Sequence, residues 1–217
     1  MGACGVNGTV YGVVLNDRDE CAALAGVFAE KPYVAAPLAP VLYIKSRNTL
    51  ATSPALVQLP ESCACLQAHV TLALLLGRAA TRVDAADALR YVAGYALAID
   101  ACEPHESYFR PAVRQRCRDG FLPLGNFRAK PPDLLGGVIE TLVDGVVRHR
   151  RDLSTLHRAP TKLIADISEF MTLDAGDVLL VGLSGDAPFV SAGQRVEGRL
   201  QDLSPVVATI LEAGAQA

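Results

Sequence analysis

The grouping of the apolar residues most constrains what this chain can fold into: they come in short β-branched runs closed by glycine, proline or aspartate, with few helices between. Thr9–Leu15 (TVYGVVL), Val41–Lys45 (VLYIK), Val70–Leu76 (VTLALLL, ended by Gly77) and Val178–Leu183 each read as strands. Val138–Val147 reads as a hairpin turning on Asp144-Gly145, a pair that favours positive φ. A glycine-led segment, Gly193–Val207, adds one or two strands. Helical spacing is confined to Asp19–Phe28, to Asp84–Leu97 with Asp84 as its N-cap, and to Thr161–Phe170. Ala35–Pro60, with four of the 13 prolines, reads as an extended connection, and Asp100–Gly125 as a polar, turn-rich stretch. Because helices do not alternate with strands in βαβ order, the fold class expected is α+β, mostly β and mostly antiparallel, rather than a doubly wound sheet. No internal repeat is visible, and 217 residues suit one domain over 1–217 with its core at about 9–207.

Charge narrows the partners. With 20 basic against 23 acidic residues, neither a nucleic acid nor an anionic membrane surface is expected. The one basic cluster, Arg148-His149-Arg150-Arg151, reads as a solvated turn or as a patch for an acidic subunit. No apolar run approaches the roughly 20 residues that cross a bilayer, and the first residues lack signal-peptide character. The reading is a cytoplasmic protein whose six cysteines stay reduced. Cys63-x-Cys65 with His69, and Cys102-x-x-His105, lack the paired spacing of structural zinc sites. Gly182-Leu183-Ser184-Gly185 falls short of a nucleophile elbow, because Asp186 stands at the final glycine position.

Four blocks then appear in a fixed order: Val41-Leu-Tyr-Ile-Lys45-Ser-Arg47-Asn48-Thr49, Tyr91-Val-Ala-Gly94-Tyr95 through Asp100, Tyr108-Phe-Arg110-Pro111 with Cys117-Arg118-Asp119-Gly120, and Ser168-Glu169-Phe170-Met-Thr172-Leu173 through Gly176-Asp177. Together they resemble the fumarylacetoacetate hydrolase superfamily, in particular the first half of its isomerase/decarboxylase branch from aromatic catabolism. The resemblance implies a mixed β-sandwich roll with short helices that associates as a homodimer, or as a heteromer with a second family subunit. It also implies Mg²⁺ or Mn²⁺ holding the 2-oxo or 2-hydroxy acid end of a small dicarboxylate. Substrates of this kind are 5-carboxymethyl-2-oxo-hex-3-ene-1,7-dioate, which is decarboxylated, and 2-hydroxyhepta-2,4-diene-1,7-dioate, which is isomerised.

Carried over residue by residue, the resemblance makes Asp100 the third metal ligand and puts His69 and Thr71 where the family's Glu-x-Glu stands. Two anionic ligands are thereby lost, so metal binding is expected to be weak or absent. Asp100 and Arg118 are the candidate catalytic residues, and Lys45, Arg47, Asn48, Arg118 and Asp119 the candidate substrate-binding residues. The family's lid histidine and glutamate fall at Glu20 and Ala23, its lysine before the Arg-Asp-Gly element at Arg116, and its Gly-Thr-Pro loop at Gly182-Leu183-Ser184. Two readings stay open: an isomerase/decarboxylase subunit, or a catalytically degenerate partner of an intact family member.

Overall fold

The computed structural model describes residues 6–105 and 110–214. In chain order the strands are β1 (Val10–Val14), β2 (Val41–Lys45), β3 (Leu50–Thr52), β4 (Ala55–Gln58), β5 (Leu66–Leu76), β6 (Val92–Cys102), β7 (Leu122–Leu124), β8 (Val138–Val143), β9 (Val146–Asp152), β10 (Val178–Leu180), β11 (Phe189–Val190), β12 (Arg195–Arg199) and β13 (Val206–Leu211). The helices are α1 (Arg18–Ala23), α2 (Ala25–Phe28), α3 (Val113–Arg116) and α4 (Pro160–Phe170). One sheet runs β2-β1-β10-β5-β6-β7-β3, with β11 also paired to β5, and the other runs β4-β13-β12-β8-β9. The pairs β1/β10, β3/β7 and β4/β13 are parallel and the rest antiparallel, so the α+β, mostly β fold is as expected. No helix among the described residues is long and apolar enough to cross a membrane.

The alternation of a strand decides what each face carries. Along β5 the even residues Leu66, Ala68, Val70, Leu72, Leu74 and Leu76 enter the main core, as do the odd residues Tyr95, Leu97, Ile99 and Ala101 of β6. Leu163, Ile164 and Ile167 of α4 close over the same core together with residues of the second sheet. The opposite parity therefore puts Gln67, His69 and Thr71 of β5 on the other face, where the register sets His69 directly against Asp100 of β6. On β2, Leu42 joins the main core while Val41 and Tyr43 face a separate cluster, which aims Tyr43 and Lys45 at that second face. Gly12 of β1 pairs with Tyr43, and a Cβ there would lie 2.1 Å from the Tyr43 ring. Only glycine leaves room for the ring at that point.

Several elements differ from the sequence reading. Asp84–Leu97 is not a helix: a single 3₁₀ turn, Ala88–Tyr91, leads straight into β6. Its small apolar residues fit either period, and the long pairing with β5 settles the matter. Ala35–Pro60 holds β3 and β4 as well as β2, Asp19–Phe28 is split into α1 and α2, and the strand at 178 ends at Leu180. The hairpin is as expected, with Asp144 and Gly145 at φ 51 and 81.

Candidate active site

Asp100 is the centre of a buried network built from that second face. Its Oδ2 accepts the Tyr43 hydroxyl at 2.5 Å, and its Oδ1 accepts from Lys45 Nζ at 3.0 Å and from Arg116 at 3.5 Å. Lys45 Nζ also donates to the carbonyls of Arg116, Phe121 and Ala101, at 2.5, 3.1 and 3.4 Å. Both side chains of the Lys45–Asp100 pair are wholly shielded from solvent. Burial pushes the Asp100 carboxyl up, but Lys45, and after it Arg116, outweigh burial and hold it below the ordinary carboxylate range. Burial, reinforced by the Asp100 charge, raises the Tyr43 phenol well above its usual value. The Arg116 guanidinium stacks 5.1 Å from the Tyr43 ring and meets His105 Nε2 at 3.1 Å.

Next to this network, β5 presents donors at every second position to the loop that follows β10. Thr71 Oγ1 donates to the Gly182 carbonyl at 2.6 Å, His69 Nδ1 lies 3.0 Å from the Ser184 carbonyl, and Gln67 Nε2 donates to the carbonyls of Gly185 and Ala187 at 2.9 and 3.2 Å. Arg151 of β9 adds a 2.6 Å bond to the Gly182 carbonyl from the other side. Burial, then the charge of Arg116, drives His69 down to about 3, so its ring is neutral.

The residues present do not fit the divalent cation that the resemblance implies. Mg²⁺ and Mn²⁺ need several converging oxygen ligands, mostly anionic. Among the described residues, the Asp100 carboxylate is already matched by an ammonium and a guanidinium, and the Thr71 hydroxyl is directed at a carbonyl. Among the described residues, no three histidine, cysteine, aspartate or glutamate side chains are grouped to hold a metal. A further positive ion beside Lys45 and Arg116 would meet repulsion rather than a cage.

Above the loop opens a cleft of about 670 Å³ whose walls include Glu20, Gln67, His105, His149, Arg151 and Ser184. Helix α1 stands at its edge, capped by Asp17 Oδ1, which accepts from the backbone N–H groups of Asp19 and Glu20 at 3.0 and 3.2 Å. Ala23 also lines the cleft. Ser184 Oγ donates to Asp186 at 2.6 Å, and His149 Nε2 lies 3.0 Å from the same carboxylate oxygen and 3.3 Å from Ser184 Oγ. The carboxylate, not the imidazole, takes the serine proton, so this is not a nucleophile relay.

Not every residue singled out in the sequence reaches this place. Asp100, Lys45, Arg116, His69 and Thr71 are brought together. Lys45 spends its ammonium internally and presents nothing to the cleft. Arg118 pairs with Glu103, and with Asp119 it borders a different cleft, near Gln58 and Pro60. Asn48 donates to Asp119 at 2.6 Å and to the Cys117 carbonyl at 3.0 Å, tying two turns together, while Arg47 is exposed in the 3₁₀ turn Arg47–Thr49. Tyr108 and Phe109 lie outside the described residues. The basic cluster is not a solvated turn throughout. Strand alternation exposes Arg148 and Arg150 but turns Arg151 inward, where it is 3% exposed and pairs with Asp17. Tyr43 and Arg151 were missed as site residues, and their inward parity on β2 and β9 was the signal available.

Comparison with known proteins agrees with this architecture. Residues 9–211 match the model of the fumarylacetoacetate (FAA) hydrolase C-terminal family. A 4-hydroxyphenylacetate degradation bifunctional isomerase/decarboxylase from Escherichia coli is 35% identical over 201 residues, covering 93% of this chain and 46% of that protein. The chain thus spans about half the length of the curated relatives it matches. Among solved structures, a 5-carboxymethyl-2-hydroxymuconate delta-isomerase from Mycobacterium smegmatis superposes with a TM-score of 0.81 at 25% identity, over 95% of this chain and 80% of that one. A fumarylpyruvate hydrolase from Pseudomonas aeruginosa, solved with Mn²⁺ and pyruvate, shares the fold with a TM-score of 0.79 at 18% identity, over 97% and 94% of the two chains.

Proposed function

The chain belongs to the fumarylacetoacetate hydrolase family, and on that premise we propose that it is a single-domain half of a two-part isomerase/decarboxylase acting on 2-oxo- and 2-hydroxy-ene-dicarboxylates. In this reading it handles the isomerisation of 2-hydroxyhepta-2,4-diene-1,7-dioate, while the metal-dependent decarboxylation of 5-carboxymethyl-2-oxo-hex-3-ene-1,7-dioate falls to a partner half with an intact Glu-x-Glu. One observation supports the division: Asp100 is matched by Lys45 and Arg116, and among the described residues no three ligand-type side chains are grouped to hold a divalent cation. Loss of carbon dioxide builds a full enolate charge, which a chelating cation stabilises strongly. Moving a proton along a diene asks for less.

Within the chain, Arg116, which meets His105 at the cleft, is the less buried cation of the Lys45–Arg116–Asp100 group and in this reading turns its guanidinium to a substrate carboxylate. Glu20 lines the same cleft, and in this reading its carboxylate is the proton carrier. The test is to follow loss of dienol absorbance with the chain alone, with and without EDTA, and carbon dioxide release with the chain alone and with an intact relative. Isomerisation that survives EDTA, with decarboxylation only in the mixture, is the expected result. A chain inert in both assays that nevertheless forms a stable complex with the relative is instead the degenerate partner, a reading favoured by the loop clamped down on β5.

A further inference from the structure

Arg151 is a buried guanidinium in the wall of the cleft of about 670 Å³, and its hydrogen bonding is incomplete. Its Nη1 donates to the Gly182 carbonyl at 2.6 Å, and its Nε lies 3.6 Å from Asp17 Oδ2 in an ion pair. Nη2 is buried with no hydrogen-bond partner among the described residues. The side chain is 2% exposed, so bulk water does not serve that nitrogen. Nor is the group free to turn, because Gly182 and Asp17 hold the planar guanidinium from two sides. A buried donor fixed in this way calls for an acceptor brought from outside.

The surroundings limit what that acceptor is. Burial lowers the basicity of Arg151, and the charges of Asp17, Glu20 and Asp186 offset part of the loss. Three carboxylates thus already act on one guanidinium, and a ligand that set a permanent anion there would meet their repulsion. A neutral carbonyl or hydroxyl oxygen meets none. Glu20 stands close by: a Cβ on Gly185 would lie 3.0 Å from its Oε1, which puts this carboxylate against the same loop whose Gly182 carbonyl Arg151 holds. Arg151 and Glu20 both line the cleft, so donor and carboxylate border one open space.

We infer that Arg151 Nη2 donates to the C2 oxygen of a bound 2-oxo or 2-hydroxy acid and stabilises the dienolate that forms there, without a divalent ion. The inference rests on the proposed isomerisation and adds a catalytic residue to it. In that step the O2–H bond breaks and its proton passes to Glu20. The electron pair becomes the C2=O bond, the double bonds at C2=C3 and C4=C5 give way to one at C3=C4, and C5 takes a proton from Glu20. Charge passes from the Glu20 carboxylate to the C2 oxygen and back, so none is added beside Asp17 and Asp186. The guanidinium keeps its protons throughout and supplies a fixed hydrogen bond, which is worth most where the negative charge collects.

The whole chain, labelled with ¹⁵N-arginine and kept in EDTA, is titrated with pyruvate and with propionate, which differ only in the C2 oxygen. The Arg151 Nη2 resonance is assigned through its contact with Gly182, whose Cβ, if present, would lie 3.0 Å from that nitrogen. Pyruvate is expected to bind about tenfold more tightly, the value of one net hydrogen bond, and to move the Nη2 resonance, while propionate leaves it in place. Movement by both acids alike assigns the guanidinium to the carboxylate, and movement by neither leaves it without a ligand; either result overturns the inference. In isomerisation assays with EDTA, Arg151→Met is expected to lower kcat about 100-fold with KM changed less than about threefold, and Arg151→Lys to recover about tenfold of the loss. A loss confined to KM also overturns the inference. Because the resonance is read on the unmodified chain, the test survives a variant that fails to fold. Turnover of the dienoate with an unmoved Nη2 refutes this assignment alone, whereas a pyruvate-shifted Nη2 in a chain without turnover refutes the proposed activity alone.

Discussion

Replacing Lys45 by Met tests whether the buried network is as tightly balanced as its geometry implies. The side chain is nearly isosteric, so the change removes the ammonium and little else. Asp100 would keep the Tyr43 hydroxyl and Arg116, the latter at 3.5 Å, the far limit of a useful contact. Three carbonyls lose a donor, although that of Phe121 also accepts from the Ala101 N–H at 3.0 Å and stays satisfied. Removing one partner of a buried ion pair costs about 3–5 kcal/mol. The residual Arg116 contact places this case at the lower end, about 3 kcal/mol, against a total stability of roughly 5–15 kcal/mol. In a urea titration at pH 7 with a slope of about 1–3 kcal/mol/M, the midpoint should fall by about 1–3 M with the slope unchanged. Adding Asp100→Asn to Lys45→Met should cost less than the sum of the two single changes, because each single variant leaves a charge unmatched. A Lys45→Met midpoint within about 0.2 M of the parent, or strictly additive costs, would refute the reasoning.

The remaining predictions concern the same face. Because the folded pKa of Asp100 is depressed, its ionised form contributes stability above the unfolded value near 3.9, and that contribution disappears as pH falls through the folded value; the stability gap between the parent chain and Asp100→Asn should therefore narrow below about pH 4 in acid titrations followed by circular dichroism. Thr71→Val, which keeps shape but leaves the Gly182 carbonyl with one donor fewer, should cost about 1–2 kcal/mol in chemical denaturation, and Thr71→Ser clearly less. The double change His69→Glu with Thr71→Glu, which restores the family's acidic pair, should fail to create tight Mn²⁺ binding by calorimetry and should destabilise the fold by about 3–5 kcal/mol, since both carboxylates would face backbone carbonyls. Tight Mn²⁺ binding by that variant would show that the loop and the two cations yield more easily than described.

How much of this was legible in the sequence depends on which force decided each feature. The strands at Val10, Val41 and Val138 and the helix at Pro160 follow from local pattern, and the Asp144-Gly145 turn from backbone preference alone. Strand β6 did not, because Val92–Cys102 is rich in small residues whose spacing suits helix and strand equally, and only pairing with the full length of β5 decides it. The short strands β3, β4 and β7 exist through their partners and leave almost no local trace. For the site, the resemblance singled out Asp100, His69 and Thr71, and the register of β5 on β6 sets His69 against Asp100. Motif position gave no sign that Lys45 is sealed in or that Arg118 pairs with Glu103. Those outcomes depend on what stands across from each side chain, and the opposing residues lie 55 and 15 positions away along the chain.

The two-residue spacing of the positions that the resemblance aligns with the family's Glu-x-Glu explains why a strand without that acidic pair need not leave a void. Side chains two apart on a strand converge on one object whatever their chemistry. If they are anionic acceptors, the object is a cation, and the loop opposite must stay back to leave room for it and for its remaining ligands. If they are donors, as at Gln67, His69 and Thr71, the nearest complementary object is a run of backbone carbonyls, and the 182–187 loop docks against the strand. Asp100 here is the counter-ion beside which Lys45 and Arg116 are buried. The same backbone thus supports two exclusive electrostatic arrangements. Changing from one to the other requires the cation pair and the loop contacts to change along with residues 69 and 71.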